Sequence, residues 1–97
     1  MRGKQMRLEF EKNMNRSALY DENDKLVGES TFSPSDKKWI IEHTYVDDSA
    51  RGMGYASKLV EMIVEKAREE HVKIIPLCPY AKKEFEKKSE YNDVLYK

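Results

Sequence analysis

The sequence lacks an excess of charge of either sign. Its 97 residues include 18 Lys and Arg and 18 Asp and Glu, so the formal net charge is zero. Proteins that bind nucleic acids usually carry clustered positive charge, so we expect no nucleic-acid partner. Long apolar runs are absent as well, since the longest is only a few residues against the ~20 that span a bilayer. We therefore expect no membrane insertion.

Cysteine, glycine and proline are also scarce. The one cysteine, Cys78, has no second thiol to pair with, and no apolar signal sequence follows Met1. We therefore expect a reduced, cytoplasmic protein. The sequence contains no repeat and no Pro/Gly/Ser-rich linker, and its length suits one domain of ~100 residues. These absences predict a single domain over residues 1–97.

Polar and apolar residues alternate in the first half of the chain. Met6, Leu8 and Phe10 alternate with charged residues, which is the period of a half-buried strand. Loop and turn residues separate three further runs of this kind, so we predict an antiparallel meander of four strands. The predicted strands are 6–10, 17–20, 26–32 and 39–46, with a loop at 21–25 and a turn at 33–36.

From Gly54 onward the apolar residues recur at the spacing of a helix. They form one stripe as far as Ala67, and charged residues take the other side. The apolar segment 72–78 then predicts a buried strand, and a strand–helix–strand unit implies a right-handed crossover into parallel pairing. Pro79 suits the first turn of a short second helix with Phe85 on its apolar side, followed by a polar tail.

A glycine-containing turn, 46–56, joins the fourth predicted strand to the first helix. Glycines let the backbone turn sharply and approach a ligand, and a helix start leaves N–H groups unpaired beside a partial positive charge. An anion such as phosphate suits this position, although a tight turn without a ligand explains the glycines as well. The turn is not a P-loop, because no Gly-Lys-Ser/Thr follows, and it lacks the third spaced glycine of a dinucleotide site.

The turn resembles the Arg/Gln-x-x-Gly-x-Gly/Ala signature of the GNAT (Gcn5-related) N-acetyltransferases, with the run 51–56 (RGMGYA) at the matching positions. The runs 76–80 (PLCPY) and 43–44 (HT) are similar to a short, single-domain subgroup that carries Cys-Pro-Tyr after its fifth strand. The resemblance implies an α/β (α+β) fold. That fold is a GNAT-like mixed sheet with an antiparallel N-terminal meander, then strand, glycine turn, helix and strand, and a short C-terminal helix.

The resemblance also implies acetyl-CoA, or coenzyme A, as the cofactor. In GNAT proteins the amides of the turn hold the pyrophosphate, and the pantetheine arm enters the gap between the splayed fourth and fifth strands. The cofactor-binding residues implied here are Thr44, Tyr45, Val46, Arg51, Gly52, Met53, Gly54, Tyr55 and Ala56.

The acceptor side of the site is less defined. The chain is too short for the helices that most GNAT proteins place between the first and second strands, which usually cover the acceptor. The resemblance therefore implies a site that is open or completed by a second subunit, in a monomer or homodimer, with a small-molecule or peptide amine as acceptor. Alternation along the fourth strand predicts Ile41, His43 and Tyr45 on one face and Glu42, Thr44 and Val46 on the other.

Acetyl transfer to an amine needs a base, a polarised carbonyl and an acid for the leaving thiolate. Cys78 precedes a Pro-initiated helix whose dipole favours a thiolate, so it is a candidate acid, or a nucleophile with His43 as its base. Cys78 is equally explained as a small buried hydrophobe. His43 carries an imidazole, the side-chain type most often used as a general base, or it is a hydrogen-bonded core residue.

Two further residues are candidates for the same chemistry. Glu42 suits a base that acts through water, although a strand glutamate is more often solvated. Tyr80 can donate its phenolic proton to the leaving thiolate, or pack under the last helix. Many GNAT proteins carry a tyrosine that acts as the general acid in the helix after the fifth strand. In this chain the matching position is Phe85. One cysteine and two histidines without ligand spacing predict no metal site.

These observations favour an acetyl-CoA-dependent N-acetyltransferase acting on a small-molecule or exposed peptide amine. The alternative is a non-catalytic acyl-CoA-binding, sensor or interaction module. A third reading, a structural α/β domain with an empty glycine turn, predicts that CoA leaves the melting temperature unchanged.

Overall fold

The alternating first half of the chain forms an antiparallel meander. In the computed structural model, which describes residues 5–97, four antiparallel strands pair in sequence order and a fifth pairs with the fourth in parallel. The predicted mixed sheet is confirmed. The strands are β1 (Arg7–Glu11), β2 (Arg16–Tyr20), β3 (Leu26–Ser35), β4 (Lys38–Val46) and β5 (Lys73–Pro76).

Two helices, α1 (Tyr55–Glu70) and α2 (Pro79–Lys87), supply the other layer of the core. The apolar stripe of α1 packs against the sheet beside Phe32 and Trp39, and Phe85 of α2 joins the same cluster. Each fully buried aliphatic side chain contributes ~1.5–3 kcal/mol, so this stripe is a main source of stability. Its fully buried members are Leu59, Val60, Ile63, Val64 and Ala67.

A β-bulge interrupts β4 at Glu42. Ile41 pairs with Phe32 and His43 pairs with Thr31, so Glu42 is an extra residue on β4. The predicted single face for Ile41, His43 and Tyr45 is therefore wrong, because an inserted residue reverses the alternation beyond it. Ile41 is buried against the helices, whereas His43 and Tyr45 lie exposed on the other face of the sheet.

The C-terminal segment is not the polar tail that the sequence predicted. Residues Ser89–Val94 form a 3₁₀ helix that buries Tyr91 and Val94 in the main core. Leu95 then forms a bridge with Ile74 of β5, and the Tyr96 N–H donates to the Ile74 carbonyl. The segment thus covers the outer edge of β5, which would otherwise present unpaired backbone groups.

The connections between β3 and β4 and between β1 and β2 are both short. The predicted turn at 33–36 is displaced, because β3 continues to Ser35 and the chain reverses at Asp36 and Lys37, where φ is 43° and 66°. Between β1 and β2 the chain forms a single 3₁₀ turn, Lys12–Met14.

Among residues 5–97 no helix is long and apolar enough to cross a membrane.

Candidate functional site

A cavity of about 370 Å³ opens where β4, the glycine turn and the start of α1 meet. It brings together the residues implied for cofactor binding, except that Met53 is not among its lining residues and is 61% exposed. Tyr80 reaches the same cavity from α2. The lining residues are Thr44, Tyr45, Val46, Ala50, Arg51, Gly52, Gly54, Tyr55, Ala56 and Tyr80.

The backbone of the turn requires glycine at two positions. Gly52 and Gly54 have φ of 82° and 80°, in the left-handed region that other residues avoid. A Cβ at either position would meet nothing within 4 Å, so the requirement is conformational and not one of space. Gly54 is also the N-cap of α1 and provides no side-chain cap. The first N–H groups of α1 therefore remain available to an anion in the cavity.

Charged side chains at the rim of the cavity are held by the turn itself. Arg51 donates from Nε to the Val46 carbonyl at 3.0 Å and lies 3.2 Å from an Asp48 carboxylate oxygen. The Tyr45 hydroxyl donates to Asp47 at 3.1 Å. Hydrogen bonds from Ser49 and Tyr45 hold the pKa of Asp47 below its ordinary value, and the same bond to Asp47 raises the pKa of Tyr45. Tyr45 therefore contributes to the cavity only from an exposed position at its rim, where the Arg51 guanidinium is accompanied by the carboxylates of Asp47 and Asp48.

Cys78 caps the N-terminus of α2 next to β4. Its sulfur accepts a hydrogen bond from the Ala81 N–H at 3.5 Å, and its thiol donates to Thr44 Oγ1 at 3.6 Å. The Thr44 hydroxyl is in turn 3.0 Å from Ser30 Oγ. Cys78 is 6% exposed and packs in the main core. The structure therefore joins Cys78 to Thr44 at the edge of the cavity.

The two remaining candidates lie on the opposite face of the sheet. His43 is exposed and its ring stacks on Tyr45 at 6.4 Å between centroids. Glu42 is exposed and accepts a hydrogen bond from Ser33 at 2.7 Å. Because the bulge turns His43 away from the Thr44–Cys78 contact, the structure does not bring His43 and Cys78 together.

Comparison with known proteins agrees with the fold. The sequence profile of the GCN5-related N-acetyl-transferase family matches residues 16–94. The chain belongs to this family. The similarity to a subgroup with Cys-Pro-Tyr after the fifth strand stays a prediction.

Solved structures include several GCN5-related relatives. A GCN5-like protein from Staphylococcus aureus, solved by NMR, is 35% identical with a TM-score of 0.73, covering 93% of this chain and 87% of that one. A ribosomal-protein-alanine N-acetyltransferase from Brucella melitensis biovar Abortus is 27% identical with a TM-score of 0.53, covering 75% and 62%. A Clostridium acetobutylicum structure with acetyl-CoA is 20% identical with a TM-score of 0.53, covering 78% and 58%, and it supports the fold. No curated protein matches the chain significantly.

The sequence reading missed a buried polar network beneath the cavity of this GCN5-related protein. Glu84, whose side chain is 3% exposed, accepts hydrogen bonds from Ser57 at 3.0 Å and forms an ion pair with Lys88 at 2.9 Å. In the sequence, Glu84 and Lys88 look like charged residues on the solvated side of a helix. The available signal was that Tyr80, Glu84 and Lys88 are spaced four residues apart, so that they lie on one side of α2 and its C-cap. Phe85 packs in the core against Tyr91. Within residues 5–97 no group of three or more His, Cys, Asp or Glu side chains could hold a metal ion.

Proposed function

We propose that residues 1–97 act as a single acetyl-CoA-dependent N-acetyltransferase domain whose acceptor is the amine of a small molecule or an exposed peptide. The observation that carries the proposal is the glycine turn. Two glycines in the left-handed conformation precede α1, and the N-terminus of α1 faces a cavity. This cavity is also lined by Thr44 of β4 and Tyr80 of α2. A site of this shape suits a ligand with a phosphate group at one end and an extended arm at the other.

The cofactor is proposed to lie along the cavity from the turn toward α2. The pyrophosphate would accept hydrogen bonds from the amides that open α1, beside the positive charge of Arg51. The pantetheine arm would follow β4 at Thr44–Val46. Structural neighbours solved with acetyl-CoA, from Clostridium acetobutylicum and Elizabethkingia anophelis, support acetyl-CoA as the ligand.

Two routes for the acetyl group are compatible with this arrangement. In direct transfer the free amine attacks the thioester carbonyl, the bond between carbon and the CoA sulfur breaks, and the sulfur takes a proton from Tyr80 or Cys78. In the covalent route the Cys78 sulfur attacks first, CoA leaves as a thiol, and the amine then takes the acetyl group from Cys78. The Ala81 N–H donates to the Cys78 sulfur, and the Cys78 thiol donates to the Thr44 hydroxyl at the edge of the cavity.

One observation favours the alternative function, a module that binds acyl-CoA without catalysing acetyl transfer. Between β1 and β2 the chain has only the 3₁₀ turn Lys12–Met14, and His43, Tyr45 and Glu42 lie on an exposed face. An acceptor would then find an open surface unless a second subunit covers it. His43 and Glu42 remain proposed bases for an acceptor that approaches from this face, in a cytoplasmic monomer or homodimer.

Intact-protein mass spectrometry after incubation with acetyl-CoA and no acceptor tests both routes. A single acetyl group that hydroxylamine removes, and that the Cys78→Ser variant does not acquire, would support the covalent route. Absence of the adduct, with acetyl-CoA binding shown by calorimetry, would favour direct transfer or the binding module. Amine acceptors would then separate these two, because only the enzyme releases free CoA when an amine is added.

A further inference from the structure

We propose that β1, the free edge of the sheet, pairs in the antiparallel sense with β1 of a second copy of this chain. Two five-stranded sheets then form one continuous sheet across a twofold axis at Leu8. The inference goes beyond the proposed function, because it assigns a contact surface for a homodimer at a place that takes no part in acetyl transfer.

The two edges of the sheet differ in how they are covered. The outer edge of β5 lies beside the C-terminal segment, where Leu95 forms a bridge with Ile74. Within residues 5–97, β1 pairs only with β2, so its outer edge has no strand beside it. The backbone groups along such an edge are a template for another strand. β1 contains no proline, which would prevent that pairing.

The apolar side chains along this edge are only half-buried. Met6, Leu8 and Phe10 pack against the core but keep part of their surface exposed, whereas Leu19, which pairs with Leu8, is fully buried. A cavity of about 350 Å³ lies between Leu8 and Met62 of α1, with two lysines and two glutamates of α1 around it. A second copy beside β1 removes this apolar surface from water, which favours association.

The charges on the other face of β1 alternate in sign. The side chains of Arg7 and Glu9 are 46% and 44% exposed. When two copies pair antiparallel about Leu8, Arg7 of each copy lies opposite Glu9 of the other. On the helix face, Met6 then lies opposite Phe10, and the two Leu8 side chains meet at the axis. From residue 6 to residue 10 every opposed pair is therefore either apolar or oppositely charged.

Neighbouring registers bring like charges together. Pairing about Glu9 places two glutamates opposite each other, and pairing about Arg7 does the same for two arginines, which is destabilising. Charged side chains on an edge strand usually oppose association with another strand. Here their alternating signs oppose the neighbouring registers and favour the one about Leu8.

Arg7 is able to form the new contact while keeping its present partners. It donates to Glu9 at 2.5 Å and to Asp24 at 2.6 Å, which uses two of the five N–H groups of the guanidinium. The guanidinium also lies over the Tyr20 ring, 4.7 Å from its centroid. Arg7 is thus already held on the open face beside the edge. Two Arg7 and two Glu9 side chains form a ring of alternating charge across the axis.

The paired edge is remote from the proposed acetyltransferase site. Neighbouring strands lie ~4.8 Å apart, so β1 is about 14 Å from β4, where the cavity at the glycine turn begins. A second copy at β1 therefore leaves both cavities open. A contact between two five-residue strands is also small beside the ~1,200–2,000 Å² of stable complexes. We expect a dimer in equilibrium with the monomer.

Sedimentation equilibrium of the full chain at increasing concentration tests for the dimer, and two charge reversals test its register. Arg7→Glu leaves only glutamates at positions 7 and 9, and Glu9→Arg leaves only arginines. Each variant alone is expected to weaken dimerisation at least ~tenfold. An equal mixture of the two should form a heterodimer, because the acidic edge of one then faces the basic edge of the other.

The matched controls are Lys83→Glu and Glu86→Arg, which reverse the same charges at exposed positions of α2. They should dimerise as the wild type does, alone and mixed. Circular dichroism shows whether each variant is folded. Hydrogen exchange followed by NMR locates the contact, since the β1 amides should exchange more slowly at high protein concentration while those of the loop 21–25 do not.

A wild-type chain that stays monomeric throughout would overturn the inference and leave the edge to a strand of a different protein. A dimer that both charge reversals leave intact, or a mixture of the two that fails to associate, would equally contradict the pairing about Leu8. Calorimetry with acetyl-CoA separates this result from the proposed function. Arg7→Glu should bind acetyl-CoA as the wild type does, and a dimer that binds none would overturn the proposed function alone.

Discussion

At the scale of single residues, Gly54 decides whether the turn can hold an anion. Asparagine tolerates the left-handed conformation better than most residues, and a Cβ at this position meets nothing within 4 Å. Gly54→Asn should therefore keep most of the affinity for CoA, whereas the isosteric Gly54→Asp places a negative charge beside the phosphates. We expect Asp to weaken binding at least ~tenfold more than Asn. Equal affinities by calorimetry would place the pyrophosphate elsewhere.

Cys78 combines a capping role with its candidate chemistry, and two substitutions separate them. Serine is a good N-cap, so Cys78→Ser should keep the free energy of unfolding close to that of the wild type. Cys78→Ala removes the acceptor of the Ala81 N–H and should cost about 1 kcal/mol. If Cys78 is catalytic, both variants lose far more in kcat than in affinity for acetyl-CoA. Urea unfolding and steady-state kinetics together measure this, and parallel losses of rate and stability would indicate packing alone.

At the scale of elements, the bulge in β4 determines which side chains reach the cavity. Because Glu42 is an extra residue, Thr44 and Val46 share a side with Ile41, and His43 and Tyr45 share the other. A strand without the bulge would direct His43 toward the helices instead of Thr44. The position of Thr44 beside Cys78 is therefore a property of the strand's register and not of the two residues alone.

Arg68 of α1 is hydrogen-bonded to the C-terminal 3₁₀ segment, whose Tyr91 and Val94 are buried in the core. The Arg68 guanidinium donates to Asp93 at 2.6 and 2.8 Å and to the Glu90 carbonyl at 2.9 Å. Arg68→Gln should loosen the segment, so that the Tyr96 N–H, which donates to the Ile74 carbonyl, exchanges with solvent faster. Lys66→Gln, on the same helix, is the control. Hydrogen exchange followed by NMR measures the difference, and equal protection in both variants would contradict it.

The same contact gives the segment a dependence on pH. Hydrogen bonds from Arg68 hold the pKa of Asp93 below its ordinary value. A lowered pKa in the folded state means that the contribution is present above the unfolded pKa and lost as pH falls through the folded one. The Tyr96 amide should therefore lose protection in acid before the amides of α1 do, and Arg68→Gln should remove this early loss.

At the scale of the whole molecule, the sequence predicted those elements whose apolar residues recur with a regular period. The strand and helix periods appear in many residues each, so the sheet, α1 and α2 could be recognised before the structure was known. The glycine turn was recognisable because its glycines stand between a strand and a helix. The bulge at Glu42 is a single extra residue and leaves no periodic trace. The network of Glu84 and the burial of Tyr91 depend on contacts between distant segments, which the pattern of charges concealed.

Binding energy is expected to form a large part of the stability of so small a chain. A ligand at 100 times its Kd adds ~2.7 kcal/mol to the folded state, and 1 kcal/mol moves the melting temperature of a domain of this size by ~4–8 °C. Saturating CoA should therefore raise the melting temperature by about 10 °C or more. Pantetheine, which lacks the pyrophosphate, should raise it far less, and the rise with CoA should be smaller in Gly54→Asp than in Gly54→Asn. No shift with CoA would mean that the turn is only a connection, and equal shifts with CoA and pantetheine would mean that the arm, and not the phosphate, carries the affinity.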